Sequence, residues 1–142
     1  MAVNELCQSL RGQLRRGEIE DAITLSPNGQ VVIPQKVRER MDISSGDKVM
    51  LIMESYRDIQ YLYFIKARAI HLFAKPLLEL FMSKIEGVSE VDDRGQIIIS
   101  KKTRVRWGAA DGEKIVLVVQ ECGTKACCVS MVRSRDLAKL AK

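Results

Sequence analysis

The sequence has little of what enzymes and metal centres are built from. Its 142 residues include a single histidine, His71, and no second histidine can join it in a zinc site. There is no glycine-rich phosphate loop, and no serine, cysteine or carboxylate set has a spacing that implies a reaction. These absences favour a binding protein over an enzyme, and they predict no cofactor.

Long hydrophobic runs are absent as well. No segment approaches the roughly 18 apolar, uncharged residues that a membrane span requires. The first residues, MAVNELCQSLRGQLRR, lack the uninterrupted apolar core of a secretion signal. We therefore expect a cytoplasmic protein that does not associate with membranes. In that compartment the four cysteines are expected to be thiols rather than disulfides.

What the chain does have is a basic charge balance and enough apolar residues for a core. Lys and Arg number 23 against 18 Asp and Glu, which gives a formal charge of +5, and 46% of the residues are hydrophobic. The charge suits an anionic partner. The apolar content predicts one domain, or two small halves that share one core.

An internal repeat is the strongest organisational feature. The segment LSPNGQVVIPQKVRER at 25–40 returns without a gap as VDDRGQIIISKKTRVR at 91–106, 66 positions later. At the same offset the identical residues include Gly29 and Gly95, Gln30 and Gln96, Arg38 and Arg104, Gly46 and Gly112, and Leu51 and Leu117. The chain therefore carries two copies of one module.

Each copy predicts the order β-β-α-β-β in about 45 residues. Turns at Gly29 and Gly95 need the positive φ that glycine adopts easily, and the apolar runs QVVI and QIII predict buried strands. A short helix follows, with Pro34 as its first residue in one copy and Ser100 as its cap in the other. Because a unit of this size is too small to form a stable core alone, we expect the two copies to pair.

The short helices have one packing face and one cationic face. Side chains four residues apart lie on the same side of a helix. This spacing assigns Val37, Met41, Thr103 and Trp107 to the packing faces, and Lys36, Arg40, Lys102 and Arg106 to the cationic faces.

The order of turn glycine, apolar strand, Pro34, KVRER, ISSGDKV and apolar strand resembles the swapped-hairpin β-barrel family of AbrB-type transition-state regulators and MazE-type antitoxins. The resemblance covers roughly residues 23–66 and 89–132, and the tandem modules resemble the MraZ-type arrangement. It implies a mainly β fold with short helices (α+β). In that fold two β-β-α-β-β modules form a double-psi-like swapped-hairpin β-barrel, within one chain or between chains, with flanking helices.

Five segments are predicted on this basis. They are an N-terminal amphipathic helix or arm at 1–22, a first module at 23–67, a helical connector at 68–87, a second module at 88–132 and a C-terminal helix at 133–142. The connector has apolar residues near helical spacing, interrupted by Pro76. So wide an apolar surface is expected to pack on the barrel or on another chain, which predicts self-association.

The family resemblance implies a sequence-dependent DNA-binding transcriptional regulator whose partner is double-stranded DNA. It places Arg38 and Arg104 in the DNA-binding surface. Neighbouring turn residues and cations extend that surface: Asn28, Gln30, Lys36, Arg40, Arg94, Gln96, Lys101, Lys102 and Arg106. The family usually has arginine where Gln30 and Gln96 stand, and a glutamine can hydrogen-bond a base edge but neutralises no phosphate.

Two alternatives remain open at this point. The cations could form a solvated helix face that balances Glu39, Asp42 and Asp47. The chain could also be an antitoxin-like or scaffold module that binds a protein partner, although antitoxins of the family usually extend an acidic tail, and VRSRDLAKLAK is basic.

Cys122, Cys127 and Cys128 are either small strand residues or a thiol site for a soft metal or redox sensing.

Overall fold

The computed structural model describes residues 18–68, 79, 83–122 and 125–140, with the backbone alone at 18–21, 121–122, 125–127 and 140. The strands are β1 Glu18–Thr24, β2 Gln30–Val32, β3 Lys48–Tyr56, β4 Ile59–Lys66, β5 Ile85–Glu90, β6 Gln96–Ile98, β7 Lys114–Cys122 and β8 Lys125–Arg133. The helices are α1 Gln35–Met41, α2 Lys101–Trp107 and α3 Leu137–Leu140, with a 3-10 helix at Ser134–Asp136 before α3. The prediction of a mainly β fold with short helices is confirmed.

The strands of the two repeats pair with each other. The described strands form an antiparallel sheet in the order β1-β7-β8-β4-β3-β5, and β2 pairs with β6 in a separate two-stranded ribbon. Apart from the hairpins β3–β4 and β7–β8, each of these pairings joins one repeat to the other. The larger sheet is open, because its edge strands β1 and β5 do not pair with each other within the described part of the chain.

The first strand of each module begins earlier than the sequence indicated. β1 begins at Glu18, inside the segment 1–22 that was assigned to a helix or arm, and β5 begins at Ile85, inside the connector 68–87. Both strands carry charged or small residues that hide the apolar alternation on which sequence prediction depends. Their ladders come from β7 and β3, which are distant in sequence. Residues 1–17 and most of the connector lie outside the described residues.

The core lies on both faces of the long hairpins. On one face Leu62, Phe64 and Leu117 pack with the ribbon and with α1 and α2; on the other, Ile52, Tyr61 and Val118 form a second cluster. The predicted packing faces of the helices are confirmed, since Val37, Met41, Thr103 and Trp107 are all buried. At about 1.5–3 kcal/mol for each large apolar side chain, this burial is the main stabilising term.

The two short helices begin and end by different chemistry at equivalent positions. Pro34 is the N-cap of α1, with φ −58° and ψ 149°, so the prediction that it would be the first helical residue is wrong by one position. Ser100 caps α2 as predicted and accepts a hydrogen bond from the Thr103 amide at 3.2 Å. Both helices end on a left-handed residue, Asp42 and Gly108.

Candidate functional site

The ribbon of β2 and β6 forms the centre of the candidate site. In its antiparallel register Val31 pairs with Ile97, its equivalent in the second repeat. The flanking pairs are Gln30 with Ile98 and Val32 with Gln96. Because the register is symmetric about the central pair of equivalent residues, the ribbon has a local twofold axis at Val31 and Ile97. The helices α1 and α2, which follow the two strands, therefore begin at opposite ends of the ribbon.

The two faces of the ribbon differ in chemistry. Val31 and Ile97 point into the core and are buried, whereas Val32 is 43% exposed and Ile98 is 58% exposed. The prediction that the runs QVVI and QIII are buried throughout is therefore wrong for these two residues. Directly opposed side chains lie on one face of a ladder. Gln30, Val32, Gln96 and Ile98 together make up what we call the outer ribbon face.

The turns before the two strands are held by the other repeat. Gly29 and Gly95 have φ of 81° and 80°, as predicted for turn glycines. The Gly29 carbonyl accepts a hydrogen bond from the Ile99 amide, and the Gly95 carbonyl accepts one from the Ile33 amide, both at 2.8 Å. These bonds extend the ribbon beyond β2 and β6, so each turn is fixed by the strand of the opposite module.

Arg38 and Arg104, which the family resemblance assigns to the DNA surface, also pack on these turns. Arg104 donates from Nε to the Ile99 carbonyl at 3.1 Å and from Nη1 to the Pro27 carbonyl at 3.0 Å. Arg38 donates from Nε to the Ile33 carbonyl at 3.0 Å. The Arg104 side chain is 14% exposed. Part of each guanidinium is thus engaged within the chain, a role that the sequence did not reveal.

Other predicted residues are more open to solvent. Lys36 near the start of α1, Lys101 and Lys102 at the start of α2, and Asn28 and Arg94 in the turns are all exposed. Asn28 and Arg94 occupy equivalent positions of the repeat. The predicted glutamines, Gln30 and Gln96, are half-buried.

Arg40 and Arg106 lie in the last turns of α1 and α2. Arg40 is half-buried. Arg106 is exposed, and its Nη1 lies 2.7 Å from Oε1 of Glu86, a carboxylate on β5. This ion pair reduces the charge that Arg106 offers to an anionic ligand.

Acids near α1 form ion pairs with cations at the end of β4 and just after it. Arg68 Nη2 lies 3.6 Å from the Asp42 carboxylate and 3.3 Å from that of Asp47, and Lys66 Nζ lies 3.9 Å from Asp42. Asp42 and Asp47, which the alternative interpretation used to balance the helix cations, therefore have cation partners outside α1.

Cys128 is the cysteine whose side chain the structure describes. It is buried, and desolvation raises the pKa of its thiol from the ordinary 9.0 to about 12. Its Sγ donates to Gln120 Oε1 at 2.8 Å, and Gln120 Nε2 donates to Ser130 Oγ at 3.2 Å. A neutral thiol of this kind is a poor nucleophile and a poor metal ligand.

The remaining thiols give no described site. Cys122 pairs across the hairpin with Lys125, and the side chains of Cys122 and Cys127 lie outside the described residues, as do Cys7 and His71. Within the described ranges, no group of three or more His, Cys, Asp or Glu residues could hold a metal ion. None of the described helices has the length and apolar composition needed to cross a lipid bilayer.

No family model and no curated protein matches the chain. Among solved structures, the chain is similar to the solution structure of PHS018 from Pyrococcus horikoshii, with 16% sequence identity and a TM-score of 0.39. The match covers 82% of this chain and 91% of that chain. A likeness at this level carries no conclusion about function.

Proposed function

We propose that the chain is a sequence-dependent DNA-binding transcriptional regulator of the AbrB type, which acts in the cytoplasm without a cofactor. The observation that carries the proposal is the local twofold axis of the ribbon, at the Val31–Ile97 pair. It relates the two basic helices to each other, and protein twofold symmetry is what operators with inverted half-sites mirror. A single chain supplies both halves of this arrangement.

The same proposal includes the fold of the family, a swapped-hairpin β-barrel of two modules in the MraZ-like arrangement. Support comes from the exchange of strands: β1 pairs with β7, β3 with β5, and β4 with β8. The exchange of backbone bonds at Gly29 and Gly95 supports it further. Two interleaved modules that share one core would account for each of these pairings.

The electrostatic part of the interface consists of exposed lysines on either side of the ribbon. Lys36 follows β2 at one end of the ribbon, while Lys101 and Lys102 follow β6 at the other end of the ribbon. Phosphates border the major groove on both sides, and that groove admits a two-stranded ribbon. Lysine contacts to phosphates would supply affinity that is independent of sequence and would fix the orientation of the protein. The exposed turn residue Arg94 would add to this set.

In the test, a fluorescent random-sequence duplex is titrated with the full chain, and binding is measured by fluorescence anisotropy at several salt concentrations. We expect log K to fall linearly with log salt, with a slope of about 0.9 for each phosphate that is neutralised. If no duplex shows salt-dependent binding at low ionic strength, the proposal is wrong. A co-purifying protein partner in that case would favour the antitoxin-like or scaffold function instead.

A further inference from the structure

We infer that the outer ribbon face reads A·T base pairs in the major groove, with Val32 and Ile98 against thymine methyl groups and Gln96 and Gln30 on the adenines. The inference rests on the proposed DNA binding and deepens it. It assigns a base-reading role to two apolar residues that the sequence predicted to be buried. It also assigns adenine as the common partner of Gln30 and Gln96, the glutamines that the sequence placed in the DNA-binding surface.

The exposure of Val32 and Ile98 needs an explanation. Their neighbours along the chain, Val31, Ile33, Ile97 and Ile99, are buried and fill the core. The two exposed side chains fill no core, yet a branched aliphatic residue stands at this position in both repeats. Strand propensity alone would be served equally well by threonine, which adds less apolar surface. An aliphatic side chain that faces solvent in both copies suits an apolar ligand group.

The ribbon register combines each aliphatic residue with an amide. Gln30 lies opposite Ile98, and Gln96 lies opposite Val32, so the Cβ atoms of each couple are about 4.5–5.5 Å apart. The outer ribbon face is therefore two similar couples related by the local twofold axis. Each couple presents one donor-acceptor amide and one branched apolar surface.

In the major groove an A·T pair presents the matching groups. Adenine offers the N7 acceptor and the N6 donor, which a glutamine amide can bind bidentately, and thymine offers its C5 methyl group. A G·C pair has no methyl group and presents a different order of donors and acceptors. Each couple thus fits one A·T pair, with the amide on the adenine and the aliphatic side chain on the thymine methyl group. The twofold axis predicts two such pairs in inverted orientation.

The predicted positions of these pairs follow from the size of the ribbon. Three residues of a strand span about 7 Å at 3.3–3.4 Å per residue, which is close to two base-pair steps of about 3.4 Å. The two A·T pairs should therefore lie two base-pair steps apart, one on each side of the dyad of the bound site. The backbone bonds from Ile33 to Gly95 and from Ile99 to Gly29 hold the face in place before DNA arrives.

The experiment begins with wild-type protein and a pool of random-sequence duplexes. Bound duplexes are recovered and sequenced, and A·T pairs are expected to be enriched symmetrically at the dyad. The thymines of these pairs are then replaced by deoxyuridine, which removes only the C5 methyl group. We expect affinity to fall about fourfold for each methyl group, as for one buried methylene-sized group, and thus more than tenfold for both.

The protein side of the experiment removes the same contact. In the double variant Val32→Thr, Ile98→Thr, β-branching is kept, while one methyl group of Val32 and the ethyl group of Ile98 are each replaced by a hydroxyl. This variant should prefer the thymine duplex over the uracil duplex by a smaller factor than the wild type does, because each threonine keeps one methyl group. The matched control is Val88→Thr, since Val88 is β-branched and 56% exposed but lies on β5 outside the ribbon. The control should keep the preference for thymine, and thermal melts of all variants verify that they fold.

The outcomes separate this inference from the proposed function. If the wild type binds duplexes with a clear salt dependence but shows no A·T enrichment, or binds thymine and uracil duplexes equally, the base-reading role of the ribbon is wrong and the regulator proposal stands. If the wild type binds no duplex at low salt, both are wrong.

Discussion

Arg104 packs against the turn that contains Gly29, in the other copy of the repeat. A Cβ atom at Gly29 would lie 2.9 Å from Arg104 Nε, and one at Gly95 would lie 2.6 Å from Arg38 Nε. The recurrence of glycine and arginine 66 positions apart thus has a structural reason. Arg104 is hydrogen-bonded to the turn that leads into β2, and Arg38 packs on the turn that leads into β6.

The first prediction concerns the turn glycines. Gly46 and Gly112 also have positive φ, 89° and 76°, but nothing lies within 4 Å of a Cβ built on them. Alanine at either position should cost about 1–2 kcal/mol, the penalty of the left-handed conformation. Gly29→Ala should cost more, because its Cβ also meets the Ile99 carbonyl and the Arg104 guanidinium.

Urea denaturation of these variants measures the difference. We expect the free energy of unfolding to fall most for Gly29→Ala, less for Gly95→Ala, whose Cβ would lie closest to the Arg38 side chain, and least for Gly46→Ala and Gly112→Ala. Equal losses at all four positions would show that the packing of arginine on the turns adds nothing.

The second prediction concerns Arg104 itself. Hydrogen bonds made by charged groups contribute about 1.5–3 kcal/mol, so Arg104→Ala should lower the free energy of unfolding by about 2–3 kcal/mol. Arg104→Lys should recover little of this loss, because lysine lacks the planar fork that reaches the Ile99 and Pro27 carbonyls together. Lys101→Ala, on the same helix but exposed, is the control and should change stability by less than about 0.5 kcal/mol. An Arg104→Ala variant as stable as this control would contradict the assignment.

Local features of the fold could be predicted from the sequence. The packing residues Val37 and Trp107 follow from a spacing of four within a short helix, and the cap at Ser100 follows from its side chain. The turn glycines follow from the backbone conformation that tight turns require. Each of these features depends on interactions between residues that lie within about ten positions of one another in the sequence, and the repeat shows each local pattern twice.

Features that depend on strand exchange could not be predicted. β1 begins at Glu18 because β7, almost a hundred residues away, supplies its ladder. The exposure of Val32 and Ile98 depends on which side of the ribbon meets the core, and a run of three apolar residues does not reveal this. The contact of Arg104 with the turn at Gly29 requires knowledge of which strands pair between the repeats.

The third prediction concerns pH. Burial raises the pKa of the Cys128 thiol to about 12 in the folded chain, against 9.0 when exposed. Since the unfolded chain then loses its proton first, the contribution of Cys128 to stability is complete below pH 9 and is lost as pH rises toward 12. The wild type should lose about 1.4 kcal/mol relative to Cys128→Ala between pH 8 and pH 10. Parallel stability curves for the two proteins in urea would contradict this.

The fourth prediction concerns a buried carboxylate. Glu54 on β3 is buried, and Lys84 Nζ lies 2.9 and 2.8 Å from its two oxygens. Lys84→Met should destabilise the chain by about 2–3 kcal/mol, less than for a fully buried pair because Lys84 is partly exposed. The second repeat has the neutral Gln120 at the position of Glu54. Adding Glu54→Gln to the Lys84→Met variant should therefore restore most of the lost stability. A double-mutant cycle in urea measures the coupling, and additive effects would contradict the pairing.

The salt dependence of duplex binding tests the central claim most directly. Lys36 and Lys102 are equivalent in the repeat, and both are exposed. Removing both charges in Lys36→Gln, Lys102→Gln should lower the slope of log K against log salt by about 1.8, or about 0.9 for each phosphate. The control Lys139→Gln removes a charge from α3 and should leave the slope unchanged. If the double variant keeps the wild-type slope, or if the wild type has no slope, duplex DNA is not the ligand of the paired basic helices.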